Sequence, residues 1–274
     1  MKNHISNILL ILVLFVGLSL LLYPTVSDYW NALHQSRAIA NYAEAVAVIE
    51  ENQYAQLWEK ARAYNRELAL NGNTWSMTEE QREEYYGLLN VDGSGIIGYI
   101  EIPSIQCSLP IYHGTDDAVL QIAIGHIEGS SLPIGGKGSH SVLSGHRGLP
   151  SARLFTDLDR MAKGDLFMIR VLDEALTYEV DQIMIVLPYE LESLTIDPQE
   201  DYCTLVTCTP YGVNSHRLLV RGRRVENREE VKAVRVTADA LQIEPYIVAP
   251  VVAAPMLLIL LLILMIPKRR RREK

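Results

Sequence analysis

The stretch Thr204–Gly222, TLVTCTPYGVNSHRLLVRG, decides how the rest of this 274-residue chain is read. Thr204–Thr207 has the apolar and β-branched content of a buried strand. Pro210 and Gly212 mark a turn, and the chain returns as a second strand carrying His216 and Arg217. A cysteine at a strand end, Cys208, is either a small core residue or an available thiol. An arginine in the next strand, Arg217, is either a surface charge or a fixed positive charge opposite that thiol. The two strands alone leave both readings open.

Working outward, strand-like runs recur upstream. NVDGSG, Asn90–Gly95, is a turn cluster, and the apolar residues of Gly95–Ile105 then alternate as in a strand. Further strands are expected at Ser108–Tyr112, Ser141–Leu143, Asp165–Leu172, Leu176–Leu187, Tyr202–Thr207 and His216–Val225, separated by Gly- and Pro-containing turns. Arg153–Met161 reads as a short helical turn. Many short strands with few helices predict a mainly β unit, a closed or nearly closed antiparallel-rich barrel over residues 90–225.

A helical hairpin is expected before it, within residues 23–89. Ser27-Asp28 has N-cap character, and Trp30, Leu33, Ala40, Ala43, Val46, Leu57, Ala61 and Leu68 fall near a helical period. Asn71-Gly72 is a stop signal. Thr78-Glu79-Glu80-Gln81 has capping-box form and opens a shorter helix ending near Leu89. GNTWSM, residues 72–77, links the two and carries one aromatic, Trp75.

Hydrophobic residues make up 49% of a chain whose net charge is −8, and the two ends explain the combination. Ile5–Leu22 is an uncharged run of 18 residues, and Tyr246–Pro267 is a second uncharged run. Each is long enough to cross a hydrocarbon core of about 30 Å. The first reads as a transmembrane helix or signal-anchor, the alternative being a cleaved signal peptide. The second is followed by KRRRREK, residues 268–274, a stop-transfer and cytoplasmic signal. Two spans put residues 1–4 and the basic tail on the cytoplasmic side. The helical region, the barrel and the charged linker 226–245 then lie outside the cytoplasm, in a multi-pass protein of the cell membrane. Lys2 and the tail hold 7 of the 25 basic residues and 1 of the 33 acidic ones, leaving 18 basic against 32 acidic, −14, for the rest. An acidic ectodomain argues against nucleic acid as a partner. The basic tail suits anionic lipid headgroups.

The three cysteines are Cys107, Cys203 and Cys208, an odd number that leaves at least one thiol free. Cys203 and Cys208, five apart on one strand, lie about 16 Å apart on opposite faces and do not bridge. A bridge from Cys107 to either remains open. No HExxH or CxxC pattern occurs, so no metal or other cofactor is expected. His140 reads as a hydrogen-bonded or solvated histidine. His146, in VLSGHRGLPS just past an apolar strand, sits in a turn-rich loop of the kind that carries catalytic groups. A cysteine nucleophile needs a partner for its proton and a donor for the oxyanion it creates. Cys208, His146 and Arg217 would supply those three roles, the alternatives being a small core residue for Cys208 and a solvent-facing strand charge for Arg217.

Longer motifs narrow this. TLVTCTPYGVNSHRLLVRG closely resembles the active-site strand pair of the sortases. Val142–Asp159, VLSGHRGLPSARLFTDLD, resembles the stretch carrying their histidine. Gly98–Thr115 and Gly125–Gly136 resemble further segments in the same order. With two membrane spans, the chain looks most like the class C, pilus-assembling sortases of Gram-positive bacteria. The resemblance implies an eight-stranded sortase β-barrel flanked by two transmembrane helices. It implies Cys208 as nucleophile, His146 as acid/base and Arg217 as the residue that positions substrate and stabilises the oxyanion. The implied substrate is an LPxTG-like sorting signal near the C-terminus of a secreted pilin, joined to a lysine amine of the next pilin. Cell-wall anchoring of surface proteins, or hydrolysis by a cysteine protease, would use the same residues. Class C enzymes often cover the groove with a lid bearing Asp-Pro-aromatic. Here GNTWSM holds that position, and Trp75 is the expected aromatic anchor without the Asp. Beside Arg217 on a strand, His216 should face the other way and be structural.

Overall fold

The computed structural model describes residues 2–227. Eight strands form its centre: β1 Ile96–Ile102, β2 Cys107–His113, β3 Ile124–His126, β4 Ser139–Ser144, β5 Leu166–Val171, β6 Glu174–Val186, β7 Asp201–Thr209 and β8 His216–Val225. They close into a barrel in the order β1-β2-β3-β4-β7-β8-β6-β5. Two pairs, β2/β3 and β4/β7, are parallel, and the other six are antiparallel. A parallel pair cannot be made by a tight hairpin. The chain therefore leaves β4, builds the β5–β6 ribbon, and returns to lay β7 beside β4.

Inside the barrel, Ile100, Ile111, Ile124, Leu143, Phe155, Phe167, Ile169, Tyr178, Leu205 and Val220 form one core. At Gly222 a Cβ would meet the Phe167 ring at 2.5 Å, so β8 passes that ring as glycine. A second, smaller apolar cluster lies on the outer face, made by Val142, Val206, Leu219 and Leu194 with Ile127, Met184 and Val186 packed against it. Alternation accounts for the split: Leu143, Leu205 and Val220 point in, and their neighbours Val142, Val206 and Leu219 point out.

Three helices precede the barrel: α1 Lys2–Ala47, α2 Glu51–Asn71 and α3 Glu79–Gly87. α2 buries Trp58, Ala61, Asn65 and Leu68. The Asn65 amide donates to the Leu132 carbonyl at 3.0 Å and accepts from its N–H at 2.8 Å, fastening α2 to the β3–β4 connection. α2 stops at Gly72, φ +83°. α3 opens with the expected capping box between Thr78 and Gln81. The one-turn helix α4, Asp117–Leu120, lies between β2 and β3.

The helix start expected at Ser27-Asp28 is absent. α1 runs unbroken through it and ends at Ala47. The Asp28 carboxylate accepts from the Arg153 N–H at 2.8 Å, so it serves a distant loop rather than its own helix end. The helical turn expected over Arg153–Met161 is confined to a 3-10 turn at Leu158–Arg160. Strand β3, three residues long, was not expected from the sequence. Beyond β8, Asn227 still belongs to the barrel, accepting from the Thr177 N–H and hydroxyl. Among the described residues one helix, α1, is long and apolar enough to cross a membrane, and its apolar part is unburied. The rest of the expected linker, the expected span 246–267 and the tail 268–274 lie outside the described residues.

Candidate active site

Cys208 and Arg217 are direct partners in the β7/β8 register, followed by Thr209 and His216 at the mouth of the hairpin. Residues opposite one another in an antiparallel pair project to the same face, with Cβ atoms about 5 Å apart. That face is the outer one. Cys208 lies two residues beyond Val206 and Arg217 two before Leu219, both outward-pointing members of the second cluster. Two carbonyls hold the guanidinium: its Nη1 donates to Asn214 at 3.3 Å and to His216 at 3.1 Å. No carboxylate pairs with Arg217 among the described residues.

His146 reaches the same place through the other neighbour of β7. The β4/β7 ladder ends at Ser144 opposite Val206. The Gly145 N–H then donates to the Val206 carbonyl at 3.0 Å, and the Thr207 hydroxyl donates to the Gly145 carbonyl at 2.8 Å. These bonds carry the parallel course one residue further, so His146 follows at the level of Cys208. Gly145 is required there, because a Cβ would meet Ile124 Cγ2 and Phe155 Cδ2 at 2.8 Å each. The His146 carbonyl accepts from the Phe155 N–H at 3.1 Å, anchoring the loop from its far side. Strand pairing thus gathers the three expected residues at one end of the barrel, all half-buried.

All three cysteines are free. Cys203 points into the core, where burial pushes its thiol well above the ordinary range. Cys107 is partly covered as a residue, but its thiol is buried and is pushed up to about 12. Cys208 alone joins partial exposure to a facing cation.

Arg147 is a residue that sequence reasoning missed. It is ion-paired with Asp159, donates to Thr209 Oγ1 at 3.4 Å and stacks over the Tyr211 ring at 5.8 Å. One side chain therefore joins the loop after His146 to the strand end carrying Cys208. The outer apolar cluster was also missed. Val142, Val206, Leu219 and Leu194 are buried together, with Ile127, Met184 and Val186 packed against them, on the face of β7 that also carries Cys208. Its pattern is legible only once β4 and β7 are known to be neighbours.

Three other histidines, His140, His126 and His216, make local contacts of their own. His140 is buried, with Nδ1 2.9 Å from the Thr195 carbonyl and Nε2 2.7 Å from Thr204 Oγ1. The carbonyl must accept, so Nδ1 carries the proton and Nε2 accepts from the hydroxyl. Burial lowers this imidazole to about 4. His126 is enclosed by Tyr85, Ser130 and Ser131. His216 Nδ1 lies 2.9 Å from Ser215 Oγ. Among the described residues no group of three or more His, Cys, Asp or Glu converges on a possible metal position.

The segment 72–77 docks on the β3–β4 connection at Gly129. The Thr74 N–H donates to the Gly129 carbonyl at 3.0 Å, and a Cβ on Gly129 would lie 1.9 Å from the Thr74 carbonyl oxygen. Gly129 follows Ile127, whose N–H bonds the Val142 carbonyl. Val142 precedes His146 by four residues, roughly 13 Å of strand. Trp75, 38% exposed, follows this backbone contact and so stands apart from Cys208, His146 and Arg217.

Comparison with known proteins points the same way. The family described as Sortase domain matches residues 100–225. A solved structure of sortase C1 from Streptococcus agalactiae is 53% identical, with a TM-score of 0.69, covering 70% of this chain and 100% of that one. Sortase C from Clostridium perfringens SM101 is 38% identical, with a TM-score of 0.60, covering 70% of this chain and 99% of that one. Among curated relatives, Sortase A of Streptococcus agalactiae serotype III (strain NEM316) is 26% identical over 210 residues, which is 76% of this chain and 79% of the relative.

Proposed function

This chain belongs to the sortase family, with class C sortases among its structural neighbours, and from that premise we propose that it is a membrane-anchored cysteine transpeptidase that polymerises pilins. The observation that carries the reading is the pairing of Cys208 with Arg217 across β7/β8, next to a strand that delivers His146.

In the proposed cycle the Cys208 thiolate attacks the Thr carbonyl of an LPxTG-like signal lying in a groove along the outer apolar cluster. The carbonyl π electrons move to oxygen, and the Arg217 guanidinium stabilises that oxyanion. As the C–N bond breaks, His146 gives its proton to the departing glycine amine. The thioacyl-enzyme remains. A lysine amine of the next pilin then attacks the thioester carbonyl while neutral His146 takes the proton, and the Cys208 thiolate leaves as the isopeptide bond forms. One amide is exchanged for another, so no energy-rich co-substrate is consumed. In the same reading, α1 crosses the membrane with the barrel outside the cytoplasm, and Trp75 belongs to a cover over the upstream part of the groove.

The test is incubation of the full chain, in vesicles, with pilins bearing such signals, followed by mass spectrometry. Lysine-linked ladders that disappear in Cys208→Ala are the expected result. Cleavage without linkage would replace this reading with a hydrolytic protease. Transfer to a cell-wall precursor amine in preference to lysine would replace it with surface-protein anchoring.

A further inference from the structure

The barrel is not hung from its membrane helix by a flexible tether. α1 leaves the apolar run at Leu22, passes Pro24 without a break in the helix, and continues to Ala47, fastened to the barrel along the way. Asp28 accepts from the Arg153 N–H and the Asn31 amide donates to the Ser151 carbonyl, both in the loop that follows His146. The Tyr42 hydroxyl donates to the Ile97 carbonyl and accepts from the Leu172 N–H.

Register places these contacts at opposite ends of the barrel. Ile102 and Cys107 pair at the end where β4 and β7 finish, and Ile96 and Tyr112 pair at the other. The fourteen residues from Asp28 to Tyr42 rise about 21 Å, the height of the barrel. α1 thus enters alongside the end that carries Cys208 and runs away from it.

With α1 across the bilayer, the end of the barrel that carries Cys208 is the one nearer the membrane. Asp28 is six residues past Leu22, about 9 Å of helix, and the headgroup layer is itself about 5–7 Å thick. The loop held by Asp28 and Asn31 also touches the β7–β8 turn, where a Cβ on Gly148 would meet the Tyr211 ring at 2.8 Å. That turn projects past the last strand pair and presents Tyr211, 61% exposed, and Val213, 69% exposed. Exposed Tyr29 and Trp30 stand on α1 at the same level. Aromatic and apolar side chains at this depth suit the membrane–water interface.

We propose that the β7–β8 turn rests in the bilayer interface through Tyr211 and Val213, holding the Cys208 end of the barrel on the membrane surface. This rests on α1 spanning the membrane and is independent of the chemistry at Cys208. A consequence is that a scissile bond must be presented close to the bilayer to reach the thiol.

Spin labels on p-acetylphenylalanine test it, placed one at a time at Tyr211, Val213, Glu174 and Val13 of the full chain. The probe is a vesicle of 3:1 phosphatidylcholine and phosphatidylglycerol. Glu174 is exposed at the far end of the barrel, and Val13 lies in the apolar run. Collision with oxygen and with a water-soluble nickel chelate reports depth. Labels at 211 and 213 should collide with nickel about threefold or more less often than the label at 174, and more often with oxygen. If they match 174 while the label at 13 is nickel-shielded, the docking is overturned and the span stands. If the label at 13 is also fully open to nickel, both are overturned.

Discussion

Cys208 stands directly across the β7/β8 ladder from Arg217, and the guanidinium is held by the Asn214 and His216 carbonyls rather than by a carboxylate. A cation fixed by neutral acceptors keeps its charge available to whatever forms at the thiol. Lysine would keep the charge but lose the fork that reaches two carbonyls and a substrate oxygen at once. Arg217→Ala should lower kcat/KM for peptide transfer by about 10²- to 10³-fold, the range seen when an oxyanion donor is removed. Arg217→Lys should recover only part of that loss. Both should keep the wild-type melting temperature within a few degrees, since Arg217 lies outside the core. A full recovery by lysine would show that charge alone suffices.

The position of His146 depends on a residue that does no chemistry. A Cβ at Gly145 would press on Ile124 and Phe155 at 2.8 Å, and Phe155 also supplies the N–H that holds the His146 carbonyl. Overpacking of a core contact costs about 1–3 kcal/mol. Gly145→Ala should therefore lower the melting temperature measurably. It should cut transfer activity more steeply than that stability loss explains, because the histidine moves with the loop. Thermal unfolding and kcat, measured on the same preparation, separate the two effects.

The strand–turn–strand around Cys208 was legible because its signals are local: a β-rich run, Pro210 and Gly212, then a second run. That His146 comes level with Cys208, 62 residues later, follows from the parallel β4/β7 pair; the long motifs paired the two by resemblance, but no periodicity within either strand announces a parallel neighbour. The same limit hid Arg147, which alone in the sequence is an ordinary charged loop residue. Strand β3 escaped because three residues carry no period. It exists because β2 and β4 offer it hydrogen bonds on both sides. At Asp28 the local cap signal misled, since Arg153, 125 residues away, takes the carboxylate that a helix end would have used. The apolar half of α1 was legible from composition alone. Its fastening onto the barrel through Asp28, Asn31 and Tyr42 was not.

Buried histidines set the acid limit of the fold. His113 and His140 are lowered from 6.5 to about 4, and His126 to about 3, in each case chiefly because burial disfavours the charged form. The unfolded chain therefore binds more protons than the folded one from about pH 6.5 downward. The stability these groups contribute is fully present above pH 6.5 and is lost as pH falls toward 4. Melting temperature should drop across that window, with each histidine adding up to about 1.4 kcal/mol per pH unit. His140→Gln should flatten the slope by about one proton. An unchanged slope would mean that His140 is already charged in the folded chain.

The segment 72–77 offers the sharpest test of a cover on the groove, because two substitutions act on it from different sides. Trp75→Ala removes the aromatic and leaves the docking bond between Thr74 and Gly129 intact. Gly129→Ala does the reverse. It adds a Cβ 1.9 Å from the Thr74 carbonyl oxygen at a residue with φ +80°, so the segment must lift. If the segment shields the upstream groove, a bulky thiol reagent carrying an apolar peptide should label Cys208 several-fold faster in both variants. A small reagent such as iodoacetamide should gain little, since Cys208 lies level with His146, about 13 Å of strand beyond Val142. Equal peptide-reagent rates in wild type and both variants would make residues 72–77 a plain connection between α2 and α3. Acceleration in Gly129→Ala alone would assign the cover to the backbone of the segment and leave Trp75 without a part in it.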